Sequence, residues 1–500
     1  MKSTMRMTIN DRLLTCFSIA YLYLPLFVFF CMWTKWYIAA LVMMASLYGC
    51  IVMIRADAKN TSEGQSLHID ILPFAIISVC LLIVGMIAGW GGWMPQAWDW
   101  VKHNALLADL IQYDWPVYYK EAASPSMLTY YIGQYIIPAL AGKLTGSFRV
   151  AEIMMYLWGE IGFFLIAFQL FKILNASTFY KQFGTIVILV VFSGCLILSR
   201  KLFQLFSGVT ETDNHWMINT DGCQLQYRSN FVSLRWIMPQ SLAVWLTITL
   251  WWTRRKSVGI YIPLMMPTLL FGALPFLGLA VMAIICAVYE AVLQKTSFKE
   301  FIGNIFSLPN ILILLAVGIP LLLYFSGIVF SEKNPSVGFS VQHVGFWLYV
   351  IFCLGHFGLY ALLSSKRHLK NGMFISAVIL LLVLPFFRMG YYNDFVMSTS
   401  IPALFVIMIC VMDTVFDKPK SLLAGALYLC LAIGALYPAK EMAFVVIHNN
   451  YTALDHDVSE PSLIRFSDLA SWELSWKYNY FTYDVDNNLF IDYIAKTPYN

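Results

Sequence analysis

Hydrophobic positions along this chain do not alternate or recur as narrow stripes; they run on for most of its length, cut by short polar stretches. The apolar runs are 13–33, 36–54, 69–89, 128–146, 151–170, 183–198, 236–252, 259–274, 276–293, 311–330, 345–363, 373–387, 396–415 and 422–436. Most have the ~17 to 25 residues a helix needs to cross a hydrocarbon core about 30 Å thick. The pattern predicts an all-α polytopic bundle of about 12–14 transmembrane helices, and it excludes a membrane β-barrel, whose strands alternate over about ten residues. The weakest boundary falls at Pro275, where two runs almost fuse.

Composition agrees with this pattern. Of 500 residues, 60% are hydrophobic and only 12% charged, beyond the apolar share of an ordinary soluble domain. The first run follows a basic start (Lys2, Arg6, Arg12) but is too long for a signal-peptide core, so it reads as a retained span. The ten cysteines lie almost all inside apolar runs, with Cys223 in a polar loop, and no spacing suggests a disulfide framework or a metal knuckle. A net charge of +4 over this length gives no reason to expect nucleic acid.

Basic residues in short loops orient a bundle. Arg254, Arg255 and Lys256, then Lys295 and Lys299, then Lys366, Arg367 and Lys370, then Lys418 and Lys420 can all be placed on one side, which should be cytoplasmic. The first outer loop (90–127), the second (200–235), the loops 331–344 and 388–395 and the tail then lie outside. The count from the N-terminus conflicts with this if 128–146 and 151–170 both cross, so one segment between 128 and 198 should be re-entrant, tilted or fused. The division is a membrane domain over 1–438 and a small extracytoplasmic segment over 439–500, which is too short to fold without docking on the membrane part.

Candidate chemistry gathers in the outer loops. On a helix starting near Trp98, Asp99, His103, Leu106 and Leu110 share a stripe with Lys102 beside it. That describes an amphipathic surface helix holding Asp99 toward the outer mouth, where a carboxylate can take a proton from an acceptor while a lipid-held substrate stays in the membrane. The plain alternative is an interfacial helix whose first-turn acid suits the helix dipole. The second loop holds Glu211, Asp213, His215 and Asp221 with Arg228 and Arg235. Arginine forks match phosphate oxygens; the acids with His215 offer a divalent-ion site of weak spacing, less favoured than a solvated loop. Pro239 and Gln240 interrupt an apolar run, as in a broken helix facing a cavity. The loop Arg388, Tyr391, Tyr392, Asn393, Asp394 is dense in hydrogen-bonding groups, although a helix N-cap explains Asn393 or Asp394 equally well. Glu160 and His356 are isolated ionisable residues inside spans, where such groups need a partner or a cavity.

The segment "WPVYYKEAASPSMLTYYIGQYIIPALAGKLTGSFRVAEIMMYL" following an acidic outer loop resembles the membrane glycosyltransferases of the GT-C superfamily, with Asp99 matching the loop acid, Pro125, Tyr130 and Tyr131 the span entry, and Gly146 and Arg149 the turn. "QYRSN", Trp236 to Gln240 and "NDF" before "SIPALF" add to the likeness with bacterial polytopic proteins of this type. The resemblance implies an inverting transfer of one sugar from a polyprenyl-phosphate donor to a cell-envelope glycan or lipid acceptor, on the outer face of the bacterial cytoplasmic membrane. Asp99 would be the catalytic acid–base group. Lys102, His103, Arg228, Arg235, Gln240, Arg388, Tyr392, Asn393 and Asp394 would bind substrate or phosphate. Trp100 rather than a second acid follows Asp99, which argues against a metal requirement. A transporter of lipid-linked sugars and a polysaccharide polymerase or ligase are the competing readings.

Overall fold

The computed structural model describes residues 6–60, 66–120, 125–207, 218–220, 223–329, 338–390, 392–447, 462–463, 480–482 and 485–497. In chain order the helices are α1 (Asp11–Trp33), α2 (Trp36–Asn60), α3 (Ile71–Ile87), α4 (Trp100–Gln112), α5 (Gly133–Thr145), α6 (Phe148–Ile173), α7 (Phe179–Val191) and α8 (Leu196–Ser207). They continue as α9 (Asn230–Trp236), α10 (Met238–Arg254), α11 (Tyr261–Met265), α12 (Ala273–Gln294), α13 (Phe298–Ile305), α14 (Leu308–Ile313) and α15 (Ile319–Val329). The last are α16 (Phe346–Cys353), α17 (Leu359–His368), α18 (Gly372–Val383), α19 (Asp394–Thr399), α20 (Ile401–Asp417) and α21 (Leu422–Ile447).

This is a mostly helical, multi-pass membrane protein. Among the described residues seven helices are long and apolar enough to cross a bilayer, or eight when the pair α7 and α8, bent by 44°, is taken as one span. That is fewer than the apolar runs predict, because the remaining runs form shorter helices. Residues 71–87, 258–270 and 372–386 are apolar but short, and α10 and α20 have 17 residues each. Both of the latter are buried along almost their whole length, so their hydrophobicity serves packing rather than lipid contact. Phe17, Met44, Leu72, Ile284, Val292, Leu362 and Leu429 on the outer helices are instead exposed, forming the apolar belt a membrane would cover. Sharp starts come from side-chain caps: Asn10 Oδ1 accepts from the Arg12 and Leu13 amides at 2.8 and 3.2 Å, and Ser147, Thr178 and Ser229 cap α6, α7 and α9.

One end of the bundle collects the basic clusters. Arg367 is bidentate on Asp413 (2.5 and 3.2 Å) and reaches Asp417 (2.7 Å), Arg255 lies 3.3 Å from Glu290, and Lys172 lies 3.2 Å from Asp11. Next to them the strand Arg6–Asn10 pairs antiparallel with Ser66–Asp70. The expected common side for the clusters after residue 250 is therefore one end of the helices.

The opposite end gathers the long loops and the tail. Here the strand Ser126–Leu128 pairs on one edge with Tyr118–Tyr119 and on the other with Phe481–Thr482. Ala495 bridges Thr34, Lys35 Nζ donates to the Asp492 carbonyl at 3.0 Å, and the Lys496 amide donates to the Trp33 carbonyl at 2.9 Å. The described parts of the tail, around Phe481–Thr482 and residues 492–496, are thus packed on the loop end of the bundle. The tail's expected start at 439 is corrected: α21 runs through Pro438 to Ile447 without a break.

The conflict over 128–198 is settled by α5. Its first turn lies beside the middle of α1, where Tyr21 Oη donates to Gln134 Oε1 at 3.1 Å. Its last turn is back at the loop end, where Lys143 Nζ donates to the Ile111 and Tyr113 carbonyls at 3.3 and 2.6 Å. The chain thus dips from the loop end to half depth and returns, without changing sides.

Candidate functional site

The recess at the loop end is built on four charged side chains from three loops. Asp99 immediately precedes α4, with helical dihedrals and no capping bond from its side chain; instead its Oδ1 meets Lys102 Nζ at 2.8 Å. Both side chains keep a quarter of their surface accessible, whereas Trp100 and His103 on either side are buried. Arg228, on the loop before α9, and Asp394, opening α19, are half-buried and face the same space, close enough for their charges to act on Asp99 and on each other. Burial pushes the Asp99 carboxyl upward, but Lys102, then His103 and Arg228, outweigh it and hold its pKa below the ordinary value. At Asp394 burial wins: Arg228 opposes it, the Asp99 charge adds to it, and the pKa lies above the ordinary value.

A wall of tyrosines closes one side. Tyr130 and Tyr131 precede α5, Tyr130 Oη bonds to Tyr131 Oη, and Gln240 Nε2 donates to Tyr131 Oη at 2.8 Å. Tyr480 from the C-terminal segment stacks on Tyr130 with ring centroids 4.3 Å apart, and its carbonyl accepts from the Thr129 amide at 2.8 Å. The Tyr480 phenol is an electrostatic neighbour of Lys102, Asp99 and Asp394. This placement depends on Gly327 in α15, where an added Cβ would stand 2.1 Å from Thr482 Oγ1. Tyr480 was not found from the sequence; pairing of residue 128 with residue 481 leaves no local signal.

Several predicted binders hold the site rather than face it. His103 is buried: Nε2 faces the Trp236 carbonyl at 3.2 Å and so carries the proton, leaving Nδ1 to accept from Tyr135 Oη at 2.5 Å. Burial lowers its pKa to about 4, so it is neutral at physiological pH. Arg235 Nη1 donates to the carbonyls of Ile87 and Pro95 at 3.3 and 2.9 Å, pinning the first loop to α9, and the indoles of Trp90 and Trp100 do likewise onto the Leu234 and Arg235 carbonyls at 2.9 and 2.7 Å. Asn393 adopts a left-handed conformation, with φ 57°. Its Nδ2 donates to the Gln224 and Phe387 carbonyls at 2.8 and 3.1 Å, and its Oδ1 accepts from the Met389 amide at 3.3 Å. The expected N-cap bond is absent; the side chain ties three strands of loop together instead. In this structure His103, Arg235 and Asn393 hold neighbouring segments in position through these contacts.

Arg388 pairs through its backbone with Ser340 and lies near the buried Cys223 thiol. The Tyr392 ring is exposed while its carbonyl accepts from Gln226 Nε2. Glu211, Asp213, His215, Asp221, Tyr391, Trp472 and Trp476 lie outside the described residues. Among the described residues no group of three or more His, Cys, Asp or Glu could hold a metal ion. His356 binds the Phe352 carbonyl at 3.0 Å, beside Tyr227, and Glu160 packs under Gly85 and Trp90, away from the recess.

The surface helix expected at Asp99 is a second correction. Trp100, Val101 and all residues from His103 to Leu110 are buried. The polar members are covered: Asn104 donates to Gln96 at 2.8 Å, and Asp109 accepts from Tyr119 Oη at 2.7 Å and the Leu463 amide at 3.1 Å. Only the start of α4, at Asp99 and Lys102, opens to the recess.

Comparison with protein-family models, curated proteins and solved structures finds no match to this chain.

Proposed function

We propose that this protein is a membrane glycosyltransferase of GT-C type. It moves a sugar from a polyprenyl-phosphate donor to a glycan or lipid acceptor of the cell envelope, on the outer face of a bacterial cytoplasmic membrane. The observation that carries the reading is the recess itself: two carboxylates, Asp99 and Asp394, face two cations, Lys102 and Arg228, at the end of the bundle away from the basic clusters. Transfer from a phosphate donor needs a base for the acceptor hydroxyl and positive charge for the departing phosphate. Both are present within one space, and the re-entrant α5 brings its tyrosine wall down toward the apolar belt in which a polyprenyl chain would lie. The positive-inside tendency, with Arg254, Arg255, Lys256, Arg367 and Lys366 remote from the recess, supports an extracytoplasmic site.

A transporter of lipid-linked sugars would place its polar groups at mid-depth in broken helices, whereas here they collect at one end. The test is purified protein in detergent with a panel of polyprenyl-phosphate sugars and crude envelope acceptors, scoring release of polyprenyl phosphate. Release that is lost on replacing Lys102 and Arg228 together by Met supports transfer. Tight donor binding without release, equal in both proteins, supports transport instead.

A further inference from the structure

Two carboxylates share the recess, and the sequence alone favours Asp99 as the base because it lies nearest the preceding span. The geometry points the other way. We infer that Asp394 is the group that takes the acceptor proton, and that Asp99 serves as the fixed counter-ion that holds Lys102 in place. The inference rests on the transferase reading above.

Asp99 is already engaged. Its Oδ1 lies 2.8 Å from the ammonium of Lys102 in the first turn of the helix that follows it, and charge-assisted contact of that kind lowers the basicity a proton acceptor needs. Among the described residues the Asp394 carboxylate makes no hydrogen bond or ion pair of its own; the half-buried residue lies in the field of Arg228, Asp99 and Lys102. Its position is set by a rigid loop. Gly390, with φ 84°, leaves the space its carboxylate fills: a Cβ there would stand 2.6 Å from Asp394 Oδ2. Asn393 then locks the turn through its contacts to Gln224, Phe387 and Met389. A base held by its neighbours' bonds rather than its own is pre-organised without being spent.

The charged groups facing Asp394 are Arg228 from the loop before α9 and Asp99 and Lys102 from the start of α4, with the Tyr480 phenol from the tail as a further electrostatic neighbour. Burial and the Asp99 charge move its pKa upward, toward the range where a base works near neutral pH. In the step, the acceptor oxygen forms a bond to the anomeric carbon as its proton passes to Asp394. The bond from that carbon to the phosphate oxygen breaks, and its electron pair leaves with polyprenyl phosphate. Protonating Asp394 leaves Asp99 alone against Lys102 and Arg228, so the recess turns net positive as the phosphate gains charge.

The test compares Asp394→Asn, Asp394→Glu and Asp99→Asn in the full chain, with whichever polyprenyl-phosphate sugar of the panel the wild type turns over. Asp394→Asn is expected to lower kcat by about a thousandfold, within the range for losing a general base. It should leave the KM for donor within about threefold, and Asp394→Glu should recover part of kcat with a shifted acid limb of the pH profile. Asp99→Asn is expected to act mainly on donor KM, raising it at least about tenfold. Wild-type turnover with kcat retained in Asp394→Asn and abolished in Asp99→Asn would overturn the assignment alone. No turnover by wild type with any donor overturns the transferase reading, and the assignment with it.

Discussion

Replacing Asp109 by Asn tests how the tail is held. Asp109 is fully buried on α4, which does not cross the membrane, and it accepts from Tyr119 Oη and the Leu463 amide through Oδ2, with the Ser462 hydroxyl beside it. Burial raises its pKa from 3.8 to about 6, against the bonds from Tyr119 and Leu463 that favour the charged form. For a carboxyl whose pKa is higher folded than unfolded, the folded state holds the extra proton, so stability is greatest below about pH 4 and is lost as pH rises through about 6. The difference corresponds to about 3 kcal/mol at most, lost by pH 7. Asn keeps an acceptor for Tyr119 and Leu463 and carries no charge. Melting of purified protein in detergent between pH 4.5 and 8 is therefore expected to show wild type losing stability with rising pH relative to Asp109→Asn, whose curve lacks that component. The two curves should converge toward the acid end. Parallel curves across the range would refute the argument, and a variant less stable at pH 8 than at pH 5 relative to wild type would reverse its sign.

Further outcomes follow from the same geometry. Gly327→Ala is expected to displace Phe481–Thr482 and with it Tyr480, exposing the tail to limited proteolysis and lowering turnover; adding Thr482→Ala, which removes the atom 2.1 Å from the new Cβ, should restore part of the protection. Arg235→Met should cost about 2–3 kcal/mol, since it strips charged donors from two buried carbonyls, and the loss should appear in thermal melting with donor KM little changed in the folded fraction. Lys102→Met should weaken binding of a polyprenyl phosphate, followed by tryptophan fluorescence, by at least about tenfold, or about 1.4 kcal/mol. Because His103 is neutral above about pH 4, His103→Phe should lower stability while adding no new limb to an activity profile between pH 5 and 8.

The parts of the fold legible in the sequence were those with local causes. Long apolar runs gave the helices, and basic clusters that recur every other loop were placed together, as Arg255 with Glu290 and Arg367 with Asp413 show. Hydrophobicity could not separate a lipid-facing helix from an enclosed one, which is why α10 and α20 read as ordinary spans. Nor could it give depth: α5 is apolar enough to count as a crossing, but only the Tyr21 to Gln134 bond shows that it starts half-way down. Within the site, Asp99, Lys102, Arg228, Gln240 and Asp394 were legible because charged or amide groups beside membrane spans are costly and draw attention. Arg235 and Asn393 drew the same attention for a different reason, since loops buried between helices need donors for their carbonyls.

The same contrast explains why the recess is assembled from distant parts of the chain. A charged cluster next to a bilayer must be walled from lipid yet open to water on one side, and here several segments share that task. The first loop supplies Asp99 and Lys102, the second Arg228, the loop before α19 Asp394, and the tail covers them with Tyr480. Each is fixed by bonds made elsewhere: Trp90 and Trp100 onto α9, Asn393 onto its own hairpin, Phe481 and Thr482 onto Ser126–Leu128. The four charged side chains lie within reach of one another's charge, while the bonds that place their loops are made by other residues. Such a division makes the positioning residues the more sensitive to stability assays and the facing residues the more sensitive to activity assays, so a scan of both sets with both readouts would separate them.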